Sequence, residues 1–233
     1  MTLTRIACAC AVAASLAAPA SAEVDIHVHY LKQIVPAPPT LSNLDPVPDD
    51  LGLRGAELGL EDNITTGRFL GQTYTLSVTE VAPEGDFPDA VRAALAESDL
   101  LVLDAPAEQV LAAADLPEAA TALLFNAGAA DVALRDEGCR ARVLHTLPSY
   151  AMKADALMQF FVKRRWNEIA LIAGERSDDQ AWADTLERSA AKFGLSFGAR
   201  KTWAFDADMR RNAAQEVPLF TQDLGDYDVL LVA

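Results

Sequence analysis

The sequence predicts an α/β protein made of two doubly wound, parallel-sheet lobes, the second apparently incomplete. Three observations point there. Short apolar runs alternate with helix-period stretches from Val24 onward. The runs are continuously apolar, as parallel strands covered on both faces are. The turn dipeptides that close β-hairpins are absent, so sandwiches and hairpin-built barrels do not fit. The 233 residues, 51% of them hydrophobic, suffice for a buried core and exclude disorder. Acidic residues number 34 against 19 basic, a formal charge of −15 that argues against a nucleic-acid-binding surface.

Residues 1–22 read as a secretory signal peptide cleaved after Ala22. Arg5 supplies the positive start, Ile6 to Ala18 the apolar stretch, and Ala20-Ser21-Ala22 the small-residue cleavage pattern. That stretch is too short for a membrane anchor, and nothing downstream approaches about 18 apolar residues. The leader carries one Arg and no acid, so the mature charge is −16. Cys8 and Cys10 leave with it, and Cys139 has no partner for an intramolecular disulfide. Cys139 is expected to be buried and inert, the alternatives being a reactive thiol or an intermolecular link.

The first lobe is read over 23–148. Asp25 to Lys32 is a strand. After a proline-rich loop, Leu51 to Asn63 is a helix capped by Asp49 or Asp50. Thr73 to Glu80 is a second strand, Phe87 to Glu97 a helix, and Leu100 to Leu103 a third strand. Asp104-Ala105-Pro106 opens a helix running to about Ala114. Ala122 to Phe125 and Val143 to His145 are further strands, with a weak helical turn around Val132 to Gly138. The second lobe spans 149–233. Ser149 caps a helix from Tyr150 to Arg165, Ile169 to Ala173 is a strand, and Ser177-x-x-Gln180 reads as a capping box for a helix ending near Phe193. A strand within Leu195 to Trp203, a helix near Met209 to Gln215 and a strand over Asp228 to Ala233 complete it. That last strand coincides with the end of the chain without a helix to cover it, which predicts a piece of a longer protein.

Strong catalytic signatures are missing: no phosphate loop, H-E-x-x-H, C-x-x-C or G-x-S-x-G. Gly52, Gly55 and Gly59 lie on the first helix rather than in a strand-to-helix turn, so close packing on the sheet explains them better than a dinucleotide. His27 and His29 share a strand face, but with His145 they lack acidic or thiol partners at zinc-ligand spacing. A Ser149–His145–Asp155 hydrolase is a remote alternative, since capping accounts for Ser149 without chemistry. Topology is more informative. Ligands of open α/β sheets bind beyond the carboxyl ends of the strands. Two such lobes bring those ends face to face, with the turns Asp104 to Pro106, Asn126 to Ala129, Ser149 to Lys153, Arg176 to Trp182 and those after Pro38 and Trp203 reaching the cleft. A non-catalytic ligand clamp closing by hinge motion is the simplest reading.

Several stretches carry a resemblance. They are Pro39-Thr40-Leu41-Ser42-Asn43-Leu44-Asp45-Pro46, Gly52-Leu53-Arg54-Gly55-Ala56-Glu57-Leu58-Gly59, Asp62-Asn63 and Thr65-Thr66-Gly67-Arg68-Phe69-Leu70-Gly71-Gln72. Phe125-Asn126-Ala127-Gly128-Ala129 and His145-Thr146-Leu147-Pro148-Ser149 add to them. Together they resemble leucine-binding-type (type I) periplasmic solute-binding proteins, in a subfamily associated with pyrroloquinoline quinone (PQQ)-dependent alcohol dehydrogenase systems. The resemblance implies a periplasmic receptor that catalyses nothing and needs no cofactor. It would deliver a solute to an ABC permease or hold it for a periplasmic PQQ-dependent dehydrogenase. PQQ or a related compound is the implied solute, and a branched-chain or other amino acid the alternative. PQQ carries three carboxylates on a flat quinone, so its site would need cations, N–H donors and an aromatic face. On that basis Arg176 is a carboxylate partner and Lys153 a cation against carboxylate or quinone. Trp182 and Trp203 are stacking faces, Asn126, Gly128 and Ala129 offer donors, and Ser149 and Tyr150 lie at the crossing turn. Arg68 is read as structural.

Overall fold

The computed structural model describes residues 23–36, 48, 50–203, 221–222 and 224–233. The expected signal peptide, the loop after Pro36 and the helix near Met209 lie outside the described residues. The first lobe contains β1 (Val24–Gln33), α1 (Leu53–Leu70), β2 (Gln72–Val81), α2 (Phe87–Leu95), β3 (Leu100–Asp104), α3 (Ala107–Ala114), β4 (Leu123–Asn126) and β5 (Val143–His145). Short 3-10 turns at Pro117–Ala120 and Val132–Arg135 join them. The second contains α4 (Tyr150–Arg164), β6 (Glu168–Gly174), α5 (Ser177–Lys192), β7 (Ser196–Trp203) and β8 (Val229–Val232).

All pairings are parallel. The first sheet runs β2-β1-β3-β4-β5 and the second β7-β6-β8. In the first, the order reverses between β1 and β3, so the connections leaving their carboxyl ends diverge and leave a crevice at residues 33–36 and 104–107. The central strand of the second sheet is buried throughout Ile169 to Ala173, as a strand covered on both faces should be. Its core gathers Leu171, Met158, Phe161 and Leu186, and a smaller cluster of Ala170, Ile172 and Leu224 takes in Trp203.

The first sheet is covered on both faces but less completely on the one where α1 packs at Tyr74. One face, with Leu31, Leu101, Leu103 and Leu124, is sealed by α2 and α3 side chains such as Phe87, Val91 and Val110. Burying each such side chain is worth about 1.5–3 kcal/mol. On the other face Val28, Val102 and Phe125 are only half-buried, and Val78 and Leu144 are exposed.

Three local expectations are corrected. The first helix continues well past Asn63, because Asn63 and Thr65 stay helical by bonding back to Gly59 O (2.7 Å) and Glu61 O (3.2 Å). It ends at Gly71, whose left-handed φ of 69° closes the last turn. Gly52 (φ 90°) precedes the helix without a side-chain cap, and Asp50 instead takes the Arg54 guanidinium at 2.7 Å. Second, Ser177 does not cap α5. The residue before it, Arg176, holds that position without a side-chain bond, while the Gln180 amide donates to Gly174 O and its oxygen accepts from Arg200. Third, Cys139 is exposed rather than buried, since it follows the 3-10 turn on the rim of the lobe. Ser149 does cap α4, accepting from the Met152 amide at 3.3 Å.

The glycines of α1 also differ from expectation. A Cβ on Gly55 or Gly59 would meet nothing within 4 Å, so close packing does not explain them. The packed glycine is Gly67, where a Cβ would lie 2.7 Å from the Tyr74 ring and 3.0 Å from Gln72 O. Gly55→Ala and Gly59→Ala should each therefore stabilise the protein by about 0.5–1 kcal/mol in denaturant titration, and Gly67→Ala should destabilise it.

Candidate ligand-binding site

Asn126 organises the turn after β4. Its fully buried side chain accepts from the Ala129 amide at 2.9 Å and the Gly128 amide at 3.3 Å, and donates to Ala129 O at 2.8 Å. The same amide nitrogen lies 3.0 Å from His145 Nδ1, which leaves that ring nitrogen as the acceptor of a neutral imidazole. Burial, then the Arg135 charge, lowers the His145 pKa, in keeping with the neutral form. The turn packs against the end of β3: a Cβ on Gly128 would sit 2.6 Å from Ala105 N and 2.8 Å from Asp104 Oδ1. Asp104 is itself fixed by the Tyr30 hydroxyl, which donates to its Oδ2 at 2.7 Å. Burial and that carboxylate push the Tyr30 phenol well above its usual pKa.

The next turn reaches the second lobe. The Tyr150 amide donates to Ala130 O at 2.8 Å, fixing the start of α4 against the first lobe. Its ring lies 5.5 Å from that of Trp182 on α5, and Lys153 Nζ stands 5.6 Å over it. Between the lobes these turns line a half-open cavity of about 260 Å³. The first lobe supplies Gln33 and Val35 after β1, Asp104 to Ala107 after β3, and Gly128 to Asp131 after β4. The second supplies Tyr150, Asp178 and Ala181. A hollow of about 250 Å³ adjoins it, sharing Asp131, Tyr150 and Ala181.

Of the residues singled out in the sequence, Gly128, Ala129 and Tyr150 line the cavity. Asn126 lies beneath it and shapes the turn, and the amides of Gly128 and Ala129 are already engaged by Asn126 rather than offered to a ligand. Ser149 is buried as a helix cap. Trp182 stands behind Tyr150 at the edge of the second core, and Trp203 packs in the smaller cluster. Arg176 is exposed and 3.9 Å from Asp178, and Lys153 is exposed; neither lines the cavity. Arg68 is exposed in the last turn of α1.

Sequence reasoning passed over Gln33, Asp104, Asp131 and Asp178. Asp104 and Asp178 sit in strand-end turns that topology marks and Asp131 two residues beyond one, whereas Gln33 ends β1 itself, ahead of the marked turn.

The remote alternatives do not assemble. Asp155 is bonded to Ser189 and Lys192, away from His145 and Ser149. His27 Nε2 lies 2.8 Å from Ser77 Oγ and His29 Nε2 2.8 Å from Thr79 Oγ1. Among the described residues no three His, Cys, Asp or Glu side chains converge on a metal position.

No protein family's sequence profile and no curated protein matches the chain. Solved structures do. An ABC transporter substrate-binding protein from Desulfitobacterium hafniense aligns with 90% of the chain at 17% identity and a TM-score of 0.58. A structure of such a protein from the same organism in complex with Leu aligns at 16% identity and a TM-score of 0.56. A periplasmic binding protein from Burkholderia mallei aligns with 91% of the chain at 13% identity and a TM-score of 0.56. The chain spans 57%, 58% and 53% of the length of these structures, respectively. At such identities the likeness is one of fold, and the fold is that of the type I periplasmic binding proteins.

Proposed function

We propose that the chain belongs to a periplasmic solute receptor of an ABC importer, binding a small molecule between its lobes and catalysing nothing. The observation that carries this reading is the cavity at the strand ends, walled by turns from both sheets. Hinge closure over such a jaw would bury the solute and present a closed face to a permease. The solved relatives carry substrate-binding proteins on the same fold, one of them with Leu bound, which makes leucine the natural first probe. Alanines 105, 107, 129, 130 and 181 give the cavity an aliphatic wall suited to a short hydrocarbon body.

PQQ, the solute implied by the resemblance, remains a separate arm, and a periplasmic dehydrogenase partner stands with it. Its carboxylates would have to reach Arg176 and Lys153 at the rim, because no Lys or Arg lines the cavity among the described residues. Trp182 contacts the lining Tyr150, so Trp emission should report occupancy. Titration with leucine and with PQQ should give a saturable change for the true solute class. An emission spectrum unmoved by either would contradict the receptor reading.

A further inference from the structure

We infer that the outward face of α1 docks a second copy of this chain, the two helices lying antiparallel about a two-fold axis level with Ile64. The 3.6-residue period puts Gly55, Leu58, Gly59, Asp62, Thr66 and Phe69 on the side turned to solvent, while Leu53, Leu60, Ile64 and Gly67 turn toward the sheet. The solvent side is apolar: Leu58 is 60%, Phe69 89% and Leu70 62% exposed. Glycine within a helix is destabilising relative to Ala, yet a Cβ on Gly55 or Gly59 would meet nothing within 4 Å. Packing within the chain therefore gives no reason for either one. Gly55, Leu58, Gly59 and Asp62 are the i, i+3, i+4, i+7 set that borders a hole for a side chain of a facing helix. Two of the four walls are glycine, so the hole admits a large knob. The same face carries one in Phe69.

Reversing the helix about Ile64 matches shape and charge together. Position 69 then lies over 59, 66 over 62 and 70 over 58. Phe69 of each copy enters the glycine-walled hole of the other, Leu70 comes level with Leu58, and the Thr66 hydroxyl can donate to the Asp62 carboxylate. Arg68 comes beside Glu61 on the same flank. Glu61, Asp62 and Arg68 are exposed, and among the described residues none of them makes an ion pair within the chain. Arg54, on the same helix, is by contrast already held at 2.7 Å by both Asp50 and Glu57. The charges left over are those that the reversal pairs. A parallel pairing in register would set Phe69 against Phe69 and leave the glycine hole empty. The chain's net charge of −15 opposes association at long range, but physiological salt screens that repulsion beyond about 8 Å. No α1 residue lines the cavity, so pairing leaves it open. One helix face is small beside the roughly 800 Å² per partner of a standard interface, so the dimer should be weak and concentration-dependent.

Sedimentation equilibrium of the full chain at physiological salt, from about 1 to about 500 μM, should show a reversible monomer–dimer equilibrium. Phe69→Ala should raise the dimer Kd roughly tenfold without shifting the melting temperature of the dilute monomer. Gly55→Ala and Gly59→Ala should also weaken the dimer while stabilising the dilute monomer, opposite signs that a role confined to the monomer does not produce. Arg68→Glu should weaken the dimer roughly tenfold by facing Glu61 with a like charge. The exchange of Arg68→Glu with Glu61→Arg should restore it, because the reversal sets each position against the other. A chain that stays monomeric over the whole range would overturn the proposal, whether the face is then bare or taken by another segment or a different protein. A dimer unmoved by Phe69→Ala and Gly59→Ala would overturn the assigned face, and one that the exchange does not restore would overturn the register. Solute titrations should be the same in every variant, so failure here and failure of the receptor reading are separate results.

Discussion

Asn126→Ala should cost the protein about 2–4 kcal/mol in denaturant titration, more than one lost hydrogen bond, because it strands the buried Ala129 amide and carbonyl at once. The Gly128 and Ala129 amides and Ala129 O all depend on this one side chain, which is fully buried. The turn they define carries Gly128 to Asp131 into the cavity. Solute affinity should therefore fall by more than tenfold even where the variant remains folded. Asn126→Asp keeps the acceptor for the two amides but sets a carboxylate against Ala129 O, so it should lie between wild type and Ala. Equal stability of wild type and Asn126→Ala would show that the turn holds itself.

Gly128→Ala should be nearly as damaging although Gly128 itself is exposed to solvent. Exposed substitutions ordinarily stay within about 0.5 kcal/mol. Here the added Cβ would lie 2.6 Å from Ala105 N and 3.0 Å from Ala105 O, both backbone atoms that cannot rotate away. The two strand-end turns must separate, which should cost about 1–3 kcal/mol as overpacking does. The same movement shifts Asp104 relative to Asp131, so solute affinity should drop with stability. The identical chemical change at Gly55 is expected to have the opposite sign, since nothing lies within 4 Å of its Cβ position. Paired denaturation curves for Gly128→Ala and Gly55→Ala measure that contrast directly, and a shift of the same sign in both would refute it.

Most of the fold was legible because period and boundary chemistry agree. The apolar runs of β3 and β6 fell within a residue or two of their observed ends, and Ser149 marked a helix start by a capping bond that the structure contains. Less legible were features decided by distant partners. Asn63 and Thr65 look like a helix stop by propensity, yet their side chains bond back to the helix itself. Gln180 completes a capping box on paper, but Gly174 O and Arg200 claim it in three dimensions.

At the site, topology indicated which turns reach the cleft, since strand ends are fixed by connectivity. It gave no sign of which side chains face inward. An anionic solute would call for cations, which in the sequence points to Arg176 and Lys153, yet both are exposed and outside the lining. The carboxylates on the same turns form part of the wall. The sequence places Asn126 among ligand donors, but its bonds are spent on shaping the turn. A buried Asn with its capacity filled locally cannot be told from a binding Asn by sequence alone.

The central claim is that the solute sits between the two sheets, held by strand-end turns from both. Hydrogen exchange on the full chain, with and without the solute that saturates Trp emission, tests it most directly. Slowed exchange should appear together at 104–107, 128–131 and 178–181, on both sides of the cavity. Protection confined to one lobe, or falling instead on the exposed face of α1, would contradict the account.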